Sequence, residues 1–415
     1  MGFLMTPRTL WLRRLILPAL LAFPTTAQAV VCATTKVVKQ AGGGDCTTIQ
    51  ACVNLIPAAM TGHFCIDIQD SAAYSEQVVV EGKNPSGNAY QILIGSTSAQ
   101  RPVITPPALS TAAFLVKNSG LTLQNLGLRP LSPIPYGVLA SSALLTLSSV
   151  TVDGGANIYQ AGVVLSSQST VSFTSITVRS AVGLYLTGSN NTVSYSTALV
   201  TSGSFDAVFL NGAGATTITV FLASSTATAF HLDHAIGNTI SLSTMAAGWN
   251  STGLLLDTGS SGNSITKSYA LGGSAGSLRN VNGTTVSQST FVSVQSGSAA
   301  LTMSGASFNT LSQSYFLSPG GPGLLVGPGT TDNTFSRDVI VAAGRGLTLD
   351  RTFNESVANA TIQGSTAVYI TGSTTTAVTA SVLIASGSDG VGLAAGDSLS
   401  VAVRSNRISG GALCA

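Results

Sequence analysis

Hydrophobic residues in this chain come in short alternating runs, and the runs recur so evenly that their spacing carries most of the information. From about Gly162 onward a Gly or Ala opens each unit, a short apolar strand follows, and a polar turn closes it. The openings read Gly162-Val163-Val164-Leu165, Gly183-Leu184-Tyr185-Leu186, Ala207-Val208-Phe209-Leu210, Ala229-Phe230-His231-Leu232 and Gly253-Leu254-Leu255-Leu256. After a weak unit near Gly276 they resume at Ala300 and continue to Gly390. A second strand begins at Asn191, Asn238, Asn263, Asn309 and Asn333, each followed by Thr or Ser and an apolar residue. The period is 21 to 24 residues. One such unit cannot bury its own apolar side, whereas stacked units share a core, so the period predicts a solenoid. Two-residue alternation points Leu184 and Leu186 inward and Tyr185 outward. The repeated Asn, a residue that tolerates left-handed turn geometry, is expected to stack as a ladder whose amides satisfy backbone groups at the turn.

The segment 30–108 follows a different pattern. Thr47 to Ile56 has a helical apolar period, with Thr47 or Thr48 placed to cap it and Pro57 to stop it. Cys65–Ile68, Gln77–Val80 and Gln91–Ile94 read as strands. A short helix ahead of the first coil would cover its open strand edges and apolar end. Residues 109–160 read as two irregular early coils, and 109–415 as β-helix repeats with no evident C-terminal cap.

Composition narrows the class. Only 8% of the residues are charged, while 44% are hydrophobic, and the β-branched alternation of those residues excludes disorder. Arg8, Arg13 and Arg14 precede the apolar run Leu15–Phe23 and the small-x-small triplet Ala27-Gln28-Ala29. This is the pattern of a secretory signal, residues 1–29, cut after Ala29. Without those three arginines 14 basic face 15 acidic side chains, so there is no basic field for nucleic acid. No later segment is apolar for long enough to span a membrane, which makes the protein secreted or cell-surface. Cys32, Cys46, Cys52 and Cys65 crowd the start of the mature chain and read as two disulfides. Three connectivities are open, and Cys32–Cys65 with Cys46–Cys52 is the preferred one. Cys414 is left over. With the final coil uncapped, end-to-end self-association through it is expected.

The stretch Gly43-Gly44-Asp45-Cys46-Thr47-Thr48-Ile49-Gln50-Ala51-Cys52-Val53, followed by Tyr74-Ser75-Glu76-Gln77-Val78-Val79-Val80, resembles the opening of pectin-methylesterase-like and pectate-lyase-like right-handed parallel β-helices. The later units resemble the parallel β-helix repeat shared by polysaccharide lyases, epimerases and bacterial surface proteins. The resemblance implies an all-β fold: a single-stranded right-handed parallel β-helix with a short N-terminal capping helix. It also implies a polysaccharide or cell-surface partner. The catalytic motifs of those families are absent: no Arg-x-Pro-x-x-Arg, no Gly-His-Gly with paired Asp, no Gly-Arg-Pro-Trp.

Candidate chemistry gathers at Phe230-His231-Leu232-Asp233-His234. Coil register places Asp233 beside Asn211 and Asp257, and His231 outward between Phe209 and Leu255, with Asp206 and Lys267 to either side. His231, Asp233, His234 and Asp257 are the candidate catalytic residues, His as proton shuttle. Calcium is the one cofactor that the two acidic groups would suit. Arg337, Asp338, Arg345, Asp350, Arg351 and Glu355 form the densest charge in the repeats and read as a solvated, partly paired surface. The preferred function is a non-catalytic exported module, structural, adhesin-like or glycan-contacting. The alternatives are a polysaccharide lyase, glycoside hydrolase or epimerase acting on acidic polysaccharide, and a periplasmic accessory protein for metal-site maturation.

Overall fold

The computed structural model describes residues 31–83, 90–96 and 101–410. The leader 1–29 and Cys414 lie outside them, as do any contacts that residues 411–415 make with the last coil. The chain winds as a right-handed parallel β-solenoid of about 14 turns. Each turn contributes three short strands. The opening strands stack into a 14-stranded sheet, and the other two stacks merge into a 29-stranded sheet. The merger occurs because Thr192–Val200 and Thr217–Ser225 continue without a break round the corner between them, each turning at one left-handed residue, Tyr195 and Val220. Every strand pairing is parallel; Phe230, for example, lies between Val208 and Leu254.

Inward positions close into one continuous core. In a single turn Phe230 and Leu232 from the opening strand, Ile240 from the second and Met245 from the third are all buried. Leu184 and Leu186 are buried as the alternation requires, and Tyr185 faces out. The coils between 109 and 160 are more regular than their sequence suggests. Ala112–Lys117, Gly120–Gln124 and Gly127–Leu128 make one three-sided turn, and Ile134–Ser141, Leu144–Ser148 and Thr151–Gly155 the next. A register shift between Ile134 and Tyr136 accounts for the disturbed pattern. The weak unit near Gly276 is likewise an ordinary strand, Ser274–Arg279.

At the N-terminal end a short helix, Ile49–Asn54, is capped by Thr48, whose side chain accepts from the Ala51 N–H. The Glu76 carboxylate accepts from the N–H groups of Ile49 and Gln50, where the helix leaves donors unpaired. The Gln50 amide then pairs both ways with the backbone of Val79, in the first strand of the 14-stranded sheet. Cys32–Cys65 and Cys46–Cys52 are bonded, tying the leading strand and the helix to the stack.

The repeated Asn residues form the expected ladder. Asn238 N–H and Nδ2 both donate to Asn263 Oδ1, and Asn309 does the same to Asn333 Oδ1. Their amides also donate to backbone carbonyls of the previous coil, such as Asn263 Nδ2 to Ala235 O. The left-handed geometry, however, belongs to the residue before each Asn, among them Gly237, Gly262, Phe308 and Asp332. The corner needs one residue to turn and the next to tie the turn down. A second ladder, of Ser residues, lines the corner between second and third strands: Ser243 N–H donates to Ser268 Oγ, Ser268 N–H to Ser289 Oγ and Ser289 N–H to Ser314 Oγ.

Two carboxylates stand where these ladders call for neutral groups, which corrects the reading of Asp338 and Glu355 as solvated surface. Both are buried. Glu355 takes the place of a ladder Asn and accepts from Asn333 N–H and Nδ2. Asp338 takes the place of a ladder Ser, accepts from Ser314 N–H through Oδ1 and has no partner on Oδ2. Burial pushes both carboxyls up to about 7 despite these hydrogen bonds. A carboxyl whose folded pKa is raised makes the fold most stable below its unfolded pKa, and that stability is lost as pH rises through about 7. At the matching corner Asn406 accepts from Ser381 N–H and donates to Val378 O. Asp338→Asn is therefore expected to gain a donor bond to Leu311 O. Urea melts should show it more stable than the parent by roughly 1–3 kcal/mol at pH 8.5. That advantage should shrink steadily toward pH 4. Asn309→Ala should do the reverse at any pH, costing roughly 1–3 kcal/mol by stranding the buried Thr284 N–H.

Candidate functional site

Ionisable and aromatic side chains concentrate on the outer face of the 14-stranded sheet. The third residue of each opening strand faces out, and the pairing aligns Val164, Tyr185, Phe209, His231 and Leu255 in one column. Three of these are rings, and they stack. Tyr185 and Phe209 have centroids 5.3 Å apart, Phe209 and His231 4.7 Å. Stacking follows from the coil spacing, since rings about 4.8 Å apart on parallel strands have little choice but to lie face to face. Their faces cover one another, and their edges turn outward.

The polar groups beside this stack are paired rung by rung. His231 Nδ1 lies 2.9 Å from Asp206 Oδ2, while His231 Nε2 is buried without a partner. Asn211 Nδ2 donates to the Tyr185 hydroxyl at 3.1 Å. Asp233 Oδ1 is 2.8 Å from His234 Nδ1, and His234 stands well out into solvent at a left-handed corner. Asp257 forms an ion pair with Arg279 at 2.7 Å. Asn211 and Asp233 are register partners, and the Asp257 N–H bonds to Leu232 O, so the expected column Asn211, Asp233, Asp257 is in place.

Not every expected neighbour is there. Asp206 reaches His231, but Lys267 does not approach it. Lys267 occupies the left-handed corner after Thr266, between the second and third strands, with its side chain in solvent. The second charged cluster also divides. The Arg345 guanidinium sits 3.6 Å over the Tyr369 ring, and Asp350 pairs with Arg351. Arg337 belongs to the same corner as Lys267. Among the described residues no group of three or more His, Cys, Asp or Glu side chains could hold a metal ion.

Two features of the site were missed in the sequence: the Tyr185–Phe209–His231 stack as a unit, and Arg279 as the partner of Asp257. Both were open to detection, because reading the same position of each successive coil spells out the columns.

Neither a protein-family model nor a curated protein sequence matches the chain. Solved structures do. DFA-IIIase from Arthrobacter chlorophenolicus A6 in complex with GF2, without its lid, aligns with a TM-score of 0.50 at 14% identity, covering 70% of this chain and 88% of that one. A second DFA-IIIase structure in complex with GF2 gives 0.50 at 13% identity, covering 71% and 89%. Tailspike protein 3 of bacteriophage CBA120 gives 0.46 at 12% identity, over 83% and 56%. The protein is a right-handed parallel β-helix, the fold it shares with these structures. Identities this low carry the fold and nothing of the chemistry.

Proposed function

We propose that this protein is an exported β-helix module that contacts polysaccharide through the outer face of its 14-stranded sheet and does not turn the polysaccharide over. The supporting observation is that acid and base groups on that face are spent on one another. Asp206 holds His231, Asp233 holds His234, and Asp257 holds Arg279. The remaining nitrogen of His231 is covered. General acid–base catalysis needs a group free to reach the reacting atom, which a nitrogen buried against the sheet is not. What remains outward is a strip of aromatic edges flanked by amide and carboxylate groups, suited to the mixed C–H and hydroxyl surface of a sugar. Two disulfides near the start of the chain support export, since such bonds persist in oxidising compartments.

A second reading, a lyase, hydrolase or epimerase of acidic polysaccharide, draws on the Asp206–His231 pair. A carboxylate that orients an imidazole is the usual support of a catalytic His. Affinity electrophoresis through a panel of neutral and acidic polysaccharides, with product analysis of the same mixtures, separates the two. Retardation by at least one glycan is expected. Phe209→Ala should weaken it about tenfold, in line with losing one well-packed aromatic anchor. No unsaturated, shortened or epimerised product should form. Product made by the parent chain and lost in His231→Ala/Asp233→Ala would establish the enzyme instead. Failure of every glycan to retard the protein would end the contact reading.

A further inference from the structure

The second strand of each coil presents a different chemistry. Its outward positions form two columns that run in unbroken register over nine coils, from Thr146 to Thr334 and from Ser148 to Ser336. Every residue in both columns is Ser or Thr. The first is Thr throughout except for Ser264, and the second is Ser except for Thr219 and Thr266. Neither column carries a charge or an aromatic ring; the stacked pair Phe173–Tyr195 and the cations Lys267 and Arg337 stand at the corner beyond the second column. Among the described residues only Ser241 and Thr219 hydrogen-bond to each other through their side chains; the other hydroxyls of the two columns have no bond within the chain. All are open to solvent to some degree.

Thr and Ser on an exposed strand face need no function by themselves, since Thr is a good strand former. Two observations go further. The third strands have no comparable order: their outward column runs Leu222, Thr244, Tyr269, Thr290, Tyr315, Val339. A general need for solubility or strand propensity would not produce a uniform lattice on one face and a mixture on the next. The hydroxyl face is also held rigid on both sides. Each of its strands is preceded by a ladder position, such as Asn238 or Asn263, and followed one residue beyond the corner by another, such as Ser243 or Ser268. Both ladders are buried, and ladders of this sort are what hold a sheet in strict repeat against its natural twist. Little order remains to be lost on docking.

The lattice has a cell of about 4.8 Å along the solenoid and about 6.6 Å across, twice the rise per residue of a parallel strand. Every rung presents the same pair of hydroxyls, differing only by a methyl at Thr219, Ser264 and Thr266, so no single small molecule has a preferred place on it. A partner must repeat as the face repeats. It must also be uncharged, because neither column carries a charged side chain, the nearest cations Lys267 and Arg337 standing at the corner beyond them. We infer that the Thr/Ser face docks on ice. Each hydroxyl both donates and accepts, as a lattice water does, and the Thr methyls order the water between them. The coil spacing lies close to the oxygen repeat in the basal plane of hexagonal ice. A crystalline polysaccharide also repeats, but a flat sugar surface is met by aromatic faces, and these two columns have none.

The inference is independent of the glycan reading, which concerns another side of the solenoid. The test uses the purified chain in two assays, partition into slowly growing ice and inhibition of ice recrystallisation. The parent should enter the ice and keep its crystals small. Thr239→Lys/Thr285→Lys, in the middle of the first column, should need at least ten times the concentration for the same effect. Thr244→Lys/Thr290→Lys, two matched charges on the third face, should behave as the parent. Thermal melts by circular dichroism must show both variants folded; if the first pair unfolds, Thr239→Val/Thr285→Val, which keeps the methyls and removes two hydroxyls, takes its place with a smaller loss expected. Exclusion of the parent from ice overturns the inference, and so does equal loss in both lysine pairs. Sedimentation with microcrystalline cellulose or chitin, abolished by the first pair in a protein without ice activity, would assign the face to a polysaccharide and overturn it too.

Discussion

The structure depends on one constraint: each coil must return to the same place one strand spacing further along. Parallel strands leave a row of unpaired backbone groups on either side, and only another coil in register satisfies them. The corners are where register would slip. There the chain takes left-handed geometry, even at Val220, Leu242 and Phe308, residues for which it is costly. The buried Asn and Ser ladders offset that cost by bonding each corner to the next. Asp338 and Glu355 are the places where the ladder is imperfect, and burial there raises both carboxyls, so these two positions favour lower pH.

Once register is secured, an outward residue type repeated at one position becomes a column. The three sides of the coil have become three different surfaces. One concentrates the ion pairs and the stacked rings, one is a lattice of hydroxyls, and one is an uneven mixture of Thr, Tyr, Leu and Val. A globular protein builds a site by bringing distant segments together in a pocket. This solenoid builds surfaces by repeating a position, a geometry suited to extended or repeating partners rather than to enclosed small molecules.

Much of this was legible in the chain. The period of the openings gave the solenoid, and the alternation in Gly183-Leu184-Tyr185-Leu186 gave the inward and outward sides. Of three open connectivities the preferred one, Cys32–Cys65 with Cys46–Cys52, is the one formed, and of Thr47 and Thr48 it is Thr48 that caps the helix. Coil register brought Asn211 and Asp233 together. Other assignments depended on distances along the corners that the spacing does not encode. Lys267 comes at a fixed interval after Asp257, yet it emerges at a different corner of the coil from His231. Asp338 and Glu355 have the composition of surface residues, and only the ladder around them makes them interior.

Local sequence alone determined that the chain would coil, which side chains would face the core and which would face water, because alternation and turn chemistry act within a few residues. Partnership was decided by the tertiary structure. That Asp206 would claim His231, that Arg279 would claim Asp257, and that scattered Thr-x-Ser triplets would align into a lattice all follow from contacts between residues 20 or more positions apart. Such contacts exist only when every intervening turn has closed at the same length, and no single turn carries that information.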